Sequence, residues 1–299
     1  MPHTNAICAP TFEGLFDRLV SDVWAHKQQN PWSRVAIVVP SGSLRTWILH
    51  ELSRRLTPLG ASTILGVEVI TLQGVAKKMA PGELPDTVHS EVHRLLVGTQ
   101  PTPAVVQEMD DPADLLMAMY RDLADAGFEN HHVEATSELL EHDPWWRTGQ
   151  SLLAGYVAWR QAAQDHTLLR HSDIVQQATT AVTQCSEFPW TRMYWYGIYD
   201  LTGIMADFVS ACCRQIPGTL YFPQFERGQD LPPVPRTPDE YLREVYDTVI
   251  QPIISETEII THRSSPPEQC TFSASGVEAE LTEVARRISA WAATQTVPD

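Results

Sequence analysis

The stretch VAIVVPSGSLRTWILHEL, residues 35–52, contains the pattern that decides the fold. Its first five residues, Val35–Val39, are all apolar, which is typical of a strand buried on both faces of a parallel sheet. Pro40 ends that run, a Ser-Gly-Ser turn follows, and apolar residues then recur at helical spacing from Leu44 to Leu56. A buried strand that leads through a tight turn into a helix predicts an α/β fold.

The same strand-then-helix order occurs on both sides of this stretch. Strand-like runs at Asn5–Ala9 and Val67–Ile70 each precede a helical pattern, and Thr11 is predicted to cap the first of those helices. Further strands are predicted at 193–196, 219–222 and 270–272, with a helix from Ile204 and a last helix at 277–293. Strands separated by helices predict a parallel sheet wound by helices.

A long segment in the middle of the chain shows helical periodicity only, and prolines separate its parts. The predicted helices are His89–Val97, Pro112–Ala126, Val133–Leu140, Trp146–Gln164 and Ser172–Thr183. We therefore predict three regions: residues 1–84 and 184–299 form the two parts of the α/β domain, and residues 85–183 are a helical insertion. Residues 229–238 contain four prolines and are predicted to form a surface loop.

Composition indicates an ordinary globular protein. Of the 299 residues, 43% are apolar and 19% are charged, and no apolar run is long enough for a membrane helix. The start of the chain lacks the pattern of a signal peptide, and the five cysteines include no C-x-x-C pair. We expect a cytoplasmic protein that does not contact a membrane and has no cofactor.

Charge is distributed unevenly along the chain. The net charge is −16, which by itself argues against nucleic acid as a partner. Residues 1–82, however, carry eight basic and five acidic residues, a net charge of +3. Residues 83–147 carry three basic and fourteen acidic residues, which we interpret as a solvated acidic face. The first segment therefore remains compatible with phosphate binding.

Four stretches, in this order, resemble one protein family. They are VVPSGSLRTWILHELSRR (38–55), GVEVITLQGVAKKM (66–79), YWYGIYDLTGIMADFV (194–209) and SASGVEAELTEVARRISAW (273–291). Together they resemble the amino-terminal part of the B subunit of AddAB-type helicase–nucleases, which are related to UvrD-like superfamily 1 helicases. The resemblance implies a P-loop NTPase-like (RecA-like) fold with weakened or absent ATPase motifs. It also implies single-stranded DNA and a helicase–nuclease motor subunit as partners in double-strand break repair, and a nuclease domain further along the chain.

The residues needed to bind a nucleotide's phosphates are missing from the sequence. A P-loop has the pattern G-x-x-x-x-G-K-[ST], in which backbone N–H groups and a lysine hold the phosphates. The matching turn, residues 9–15, has one glycine, no lysine, and a glutamate, Glu13, that repels phosphate. The three lysines of the chain are Lys27, Lys77 and Lys78, and none follows a glycine. We therefore predict that this chain hydrolyses no ATP.

The strand that should supply magnesium ligands also lacks them. In the related helicases this strand ends in Asp-Glu, of which one residue helps to hold magnesium and the other orients water. The corresponding residues in WYGIYDLT (195–202) are Gly197 and Ile198, which can do neither. Asp200 and Thr202 follow, and we interpret them as helix caps.

The resemblance points instead to a DNA-binding surface after the second and third strands. In related helicases these two turns contact single-stranded DNA, and here they carry Ser41, Ser43, Arg45 and Thr71. Hydroxyls and an arginine at a helix start suit phosphate groups. The alternative is that the serines only cap the helix and that Arg45 is an ordinary surface arginine. The sequence leaves both interpretations open.

Other residues suggest binding sites but have simpler explanations. Trp32 and Trp47 could stack on bases, but packing against other residues is the preferred interpretation. His89 and His93 in HSEVH lack the H-E-x-x-H spacing of zinc proteases, so we predict an exposed polar helix.

Structural roles are also the preferred interpretation of three acidic residues and two cysteines. Asp110, Asp111 and Asp114 are interpreted as the start of a helix and not as metal ligands. Cys212 and Cys213 are predicted to pack in an apolar helix.

Two other functions stay open: a protein-interaction scaffold without DNA binding, and a nucleotide-using enzyme with an unrecognised site.

Overall fold

In a computed structural model, the chain divides into two units, Met1–His262 and Arg263–Asp299. The described residues are 4–9, 11–59, 65–82, 90–99, 104–107, 110–139, 146–185, 187–201, 203–223, 238–260 and 284–286. Every strand and helix named below belongs to the first unit. Of the second unit, residues 284–286 are described, and they are helical.

Six parallel strands form one sheet in the order β3-β2-β4-β5-β1-β6. The strands are β1 (Thr4–Ala9), β2 (Val35–Val39), β3 (Val67–Thr71), β4 (Arg192–Tyr196), β5 (Gly218–Pro223) and β6 (Thr257–Ile259). Because the strands are parallel, they all end on the same side of the sheet, which we name the carboxyl edge. In α/β proteins this is the edge where ligands usually bind.

Eleven α-helices are assigned within the described residues. They are α1 (Phe12–Gln29), α2 (Gly42–Leu56), α3 (Leu72–Met79), α4 (Ser90–Gly98), α5 (Ala104–Gln107), α6 (Pro112–Asp125), α7 (Asn130–Leu139), α8 (Trp146–Asp165), α9 (His171–Gln184), α10 (Gly203–Gln215) and α11 (Pro238–Val245). Short turns of other helix types follow α2 and α11. None of the described helices is long and apolar enough to cross a membrane.

Helices cover both faces of the sheet, which explains the uninterrupted apolar run of β2. Successive strand side chains point to opposite faces. Val35, Ile37 and Val39 pack in a core with apolar residues of α1 and α2. Ala36 and Val38 lie in the opposite core, which includes apolar residues of α3, α9 and α10. All five side chains of β2 are therefore fully buried.

Three buried tyrosines attach α1 to the sheet through their hydroxyl groups. Tyr221 donates a hydrogen bond to Asp22 Oδ2 over 2.7 Å, and Tyr194 donates to the Asp22 carbonyl oxygen over 3.4 Å. Tyr196 donates to the Phe12 carbonyl oxygen over 2.9 Å. A buried hydroxyl without a partner would be unfavourable, so these bonds fix where α1 lies on the sheet.

The elements between β3 and β4 are helices, and they contain a core of their own. This core consists of Val97, Val106, Leu116, Tyr120, Ala124, Tyr156 and Trp159. The end of α6 also approaches the start of α10 closely. A Cβ atom at Gly203 would lie 2.5 Å from the Ala126 carbonyl carbon, so only glycine fits there. Whether residues 85–183 form an insertion with those boundaries stays a prediction.

Most predicted elements occur within one or two residues of their predicted ends. The strands predicted at 5–9, 35–39, 67–70, 193–196 and 219–222 are present, and so are the five predicted central helices wherever they are described. The sequence did not predict α5, α11 or β6. The strand predicted at 270–272 and residues 229–237 of the predicted loop lie outside the described residues, as does the helix predicted at 277–293 apart from 284–286.

Candidate nucleic-acid interface

The turn after β4 is packed tightly at its start, where Gly197 and Ile198 have no side chain that could bind a metal ion. Gly197 has a φ of +72°, a conformation that residues with a side chain rarely adopt. Ile198 is only 2% exposed and belongs to the core beneath α10. Asp200 is exposed, and Thr202 lies outside the described residues.

The start of α1 carries aromatic and acidic side chains. Thr11 caps the helix, as predicted, because its hydroxyl accepts a hydrogen bond from the Gly14 N–H over 3.1 Å. The rings of Phe12 and Tyr199 lie 5.9 Å apart at this edge. Glu13, in the first turn, places a carboxylate at the helix end that would otherwise attract anions.

The turns after β2 and β3 lie side by side at the carboxyl edge. The two strands are adjacent and parallel, with Val39 opposite Thr71. Ser41 caps α2 by accepting from the Leu44 N–H over 3.3 Å, and Thr71 caps α3 by accepting from the Gly74 N–H over 3.1 Å. The structure thus brings two helix N-termini to one surface, each with a hydroxyl oxygen at its start.

Ser43 and Arg45 complete this surface. Both are exposed residues of the first turn of α2. The Nε atom of Arg45 donates a hydrogen bond to the Val69 carbonyl oxygen over 3.0 Å, which holds the side chain toward β3. All four predicted residues therefore lie on the two adjacent turns, and we name Ser41, Ser43, Arg45 and Thr71 the hydroxyl–arginine surface. Capping by Ser41 and Thr71 does not decide between the two open interpretations, because a cap at an exposed helix end can also face a phosphate.

The two tryptophans differ from each other. Trp47 is 45% exposed and packs against Phe16, with ring centroids 4.8 Å apart, so the predicted packing is partly confirmed. The prediction that Trp32 packs is wrong, because this residue is 84% exposed. The turn that carries it is held by Lys27, whose Nζ donates to the Ser33 carbonyl oxygen over 2.7 Å.

The prediction that HSEVH is an exposed polar helix is wrong for His93, although Val92 beside it is exposed. His93 is 1% exposed, and its ring lies 5.6 Å from that of Trp159. Its Nε2 lies 3.3 Å from the Leu169 carbonyl oxygen, which can only accept a hydrogen bond. His93 is thus a core residue, and His89 lies outside the described residues.

The predicted helix start at the aspartates and the predicted packing of the two cysteines are confirmed. Pro112 begins α6 directly after Asp111, and Arg94 pairs with Asp111 and Asp114. Cys212 and Cys213 are fully buried, and burial raises the pKa of both thiols. In the part of the chain that the structure describes, no group of three or more His, Cys, Asp or Glu residues could hold a metal ion.

Two clefts were not predicted. One, of about 510 Å³, lies at the opposite edge of the sheet between α1 and the starts of β1, β4, β5 and β6. The other, of about 360 Å³, lies among α3, α4, α6, α8, α9 and α10. Burial raises the pKa of Asp125 and lowers that of His171 in the second cleft. Its lining residues are as far apart in the chain as Gln73 and Met205, so no local pattern could have indicated it.

No protein-family model matches the chain, and no curated protein matches it.

Proposed function

We propose that this chain is the non-catalytic, helicase-like region of an AddB-type helicase–nuclease subunit, which binds single-stranded DNA and a motor subunit during double-strand break repair. One observation carries the proposal. At the carboxyl edge, aromatic and apolar residues occupy the two turns that would bind a nucleotide, while the two neighbouring turns present hydroxyls and an arginine.

The fold supports this proposal at the level of architecture. A parallel sheet with helices on both faces is consistent with a RecA-like arrangement. Three of the four stretches that resemble the family correspond to β2 with α2, β3 with α3, and β4 with α10. The fourth, residues 273–291, lies almost entirely outside the described residues.

The chemistry of the carboxyl edge supports a protein without ATPase activity. Catalysis of phosphoryl transfer depends on positive charge and a metal ion that neutralise the developing negative charge. Here Glu13 brings negative charge to the start of α1, and a buried Ile198 follows Gly197 at the end of β4. Both the phosphate-binding half and the metal-binding half of an ATPase site are therefore replaced.

The hydroxyl–arginine surface supports binding to a phosphate backbone. The N-termini of α2 and α3 each carry partial positive charge, and the first turn of neither helix contains an acidic residue. Arg45 adds a full positive charge that can reach a phosphate oxygen. Such contacts recognise the backbone and not the bases, so binding should be independent of base sequence and strongly salt-dependent.

A protein-interaction scaffold is the second candidate, and the exposed Trp32 favours it. Tryptophan is enriched among the residues that contribute most to protein interfaces. With 84% of its side chain exposed on a turn held by hydrogen bonds, Trp32 is a suitable contact for a protein partner.

Replacing Ser43 with aspartate separates DNA binding from folding. Ser43 is the second residue of α2, where a carboxylate interacts favourably with the helix dipole but repels a phosphate. We expect Ser43→Asp to keep or slightly raise the unfolding temperature, and to weaken binding to a labelled oligothymidylate about tenfold at low salt, as loss of about 1.4 kcal/mol would. Fluorescence anisotropy measures the affinity.

A matched variant controls for the added negative charge. Ser151 is an exposed serine on α8, and Ser151→Asp should leave the affinity for the oligothymidylate unchanged. With a motor subunit present, if the parent chain adds nothing to oligonucleotide binding, or if the two variants weaken binding equally, the hydroxyl–arginine surface does not bind DNA and the scaffold becomes the better proposal.

A further inference from the structure

The first two turns of α1 contain the same pair of residue types twice. Phe12 is followed by Glu13, and Phe16 is followed by Asp17. Residues four apart lie on the same side of a helix. The two aromatic–acid pairs therefore lie one turn apart along the side of α1.

The second pair already binds an arginine of this chain. The guanidinium carbon of Arg55 lies 5.1 Å from the centre of the Phe16 ring, and its Nη1 forms an ion pair with Asp17. The ring face and the carboxylate thus bind one planar cation together, by a cation–π contact and a charge-assisted hydrogen bond.

The first pair has the same chemistry but no cation. Phe12 is 38% exposed, and Tyr199, 36% exposed, adds a second ring 5.9 Å away. Among the described residues, no basic side chain forms an ion pair with Glu13. Two exposed rings and a carboxylate therefore face solvent at the carboxyl edge.

We propose that Phe12, Glu13 and Tyr199 form a docking site for an arginine side chain of a partner protein. Charge selects the partner. Glu13 and the exposed Asp200 next to Tyr199 make this surface negative, so a nucleic-acid backbone is repelled and a guanidinium is attracted. Arginine suits the site better than lysine because its flat guanidinium can lie on a ring while it donates to a carboxylate.

The site is held in position before any partner binds. Thr11 caps the helix, and Tyr196, which is buried, donates a hydrogen bond to the Phe12 carbonyl oxygen over 2.9 Å. The backbone that carries Phe12 and Glu13 is thereby fixed to the sheet, so little conformational entropy is lost on docking. This docking site is separate from the hydroxyl–arginine surface and does not depend on DNA binding.

A short peptide tests this site in the full chain. The probe is acetyl-Gly-Leu-Arg-Leu-Gly-amide, and its control replaces arginine with citrulline, which has nearly the same shape but no charge. The chain has eight tyrosines, so 3-fluorotyrosine labelling with Tyr199→Phe for assignment identifies the ¹⁹F signal of Tyr199. We expect the arginine peptide to shift that signal saturably and the citrulline peptide to leave it in place.

Two acid-to-amide variants separate the site from general charge attraction. Glu13→Gln should weaken peptide binding about fivefold or more, as expected for loss of a charged partner. Glu134→Gln removes an exposed acid on α7 and should have no effect. Equal unfolding temperatures would show that both variants fold. The proposal is overturned if the citrulline peptide shifts the Tyr199 signal as much as the arginine peptide, if neither shifts it, or if Glu13→Gln binds as well as Glu134→Gln.

Discussion

A Cβ atom at position 197 would lie 3.1 Å from Leu44 Cδ2, because the turn after β4 packs against the first turn of α2. Leu44 belongs to the turn that presents Ser43 and Arg45. Glycine at this position lets the start of α2 pack closely against the turn after β4. The contact therefore helps to position the hydroxyl–arginine surface.

Replacing Gly197 with alanine should therefore destabilise the fold. The φ of +72° disfavours any side chain, and the added methyl group would press on Leu44. We expect Gly197→Ala to lower the free energy of unfolding by about 1–2 kcal/mol in urea denaturation. Gly42→Ala is the matched control: it lies at the start of α2 with no atom within 4 Å of an added Cβ, and should be neutral or stabilising. An equal loss in both variants would show that the contact has no special role.

Nucleotide binding gives a second prediction. With Glu13 at the start of α1 and no acid at 197 or 198, titration calorimetry with ATP and Mg²⁺ should show no saturable heat. A micromolar signal that a competing nucleotide abolishes would contradict the proposed loss of nucleotide chemistry.

Glu68 should make stability depend on pH. Its carboxylate accepts a hydrogen bond from Trp190 Nε1 over 2.9 Å and pairs with Lys78. Partial burial acts to raise the pKa of Glu68, but the bonds from Lys78 and Trp190 outweigh it, so the pKa is below its usual value. A depressed pKa stabilises the fold above the unfolded-state pKa of the group, and this contribution is lost as pH falls through the folded-state value.

Glu68→Gln should consequently destabilise the chain at neutral pH by about 0.5–1 kcal/mol, a modest value because the pair is partly exposed to solvent. The difference in free energy of unfolding between Glu68→Gln and the parent should shrink as the pH is lowered through the depressed pKa of Glu68. Urea denaturation at several pH values measures it. A difference that is constant across that range would mean that the carboxylate charge makes no contribution.

The order of elements could be predicted from the sequence because local patterns determine it. Val35–Val39 is uniformly apolar since both faces of β2 are covered, and Thr11 caps α1 through a contact three residues away. β6 was not predicted because it has three residues, all exposed, and so no apolar pattern. Its identity as a strand comes from pairing with β1, which is about 250 residues earlier in the chain.

Burial and proximity could not be predicted, because residues distant in sequence determine them. His93 looks like a surface residue in HSEVH, but Trp159 and Leu169 enclose it. The approach of Tyr199 to Phe12 depends on β5 lying between β1 and β4. No local sequence pattern indicates that strand order. Ser41, Ser43, Arg45 and Thr71 lie on adjacent turns because β2 and β3 are neighbours and the ends of parallel strands share one edge. That they bind DNA stays a prediction.

The central claim is that the hydroxyl–arginine surface binds the DNA backbone, and Arg45 tests it. The isolated chain has a net charge of −16, so we expect its affinity for DNA to be weak, and a motor subunit should be present in the assay. Arg54→Ala is the control, because Arg54 is an exposed arginine at the other end of α2 that pairs with Glu51. Arg45→Lys keeps the positive charge but removes the hydrogen bond from Nε to the Val69 carbonyl oxygen.

The most direct measurement is the affinity for single-stranded DNA, by fluorescence anisotropy, as a function of salt concentration. We expect Arg45→Ala to weaken binding by about 1 kcal/mol at low salt and to reduce the salt dependence, while Arg45→Lys retains most of the affinity and Arg54→Ala all of it. If Arg45→Ala and the parent bind equally at low salt, the surface is structural, and the chain is better described as a protein-interaction scaffold.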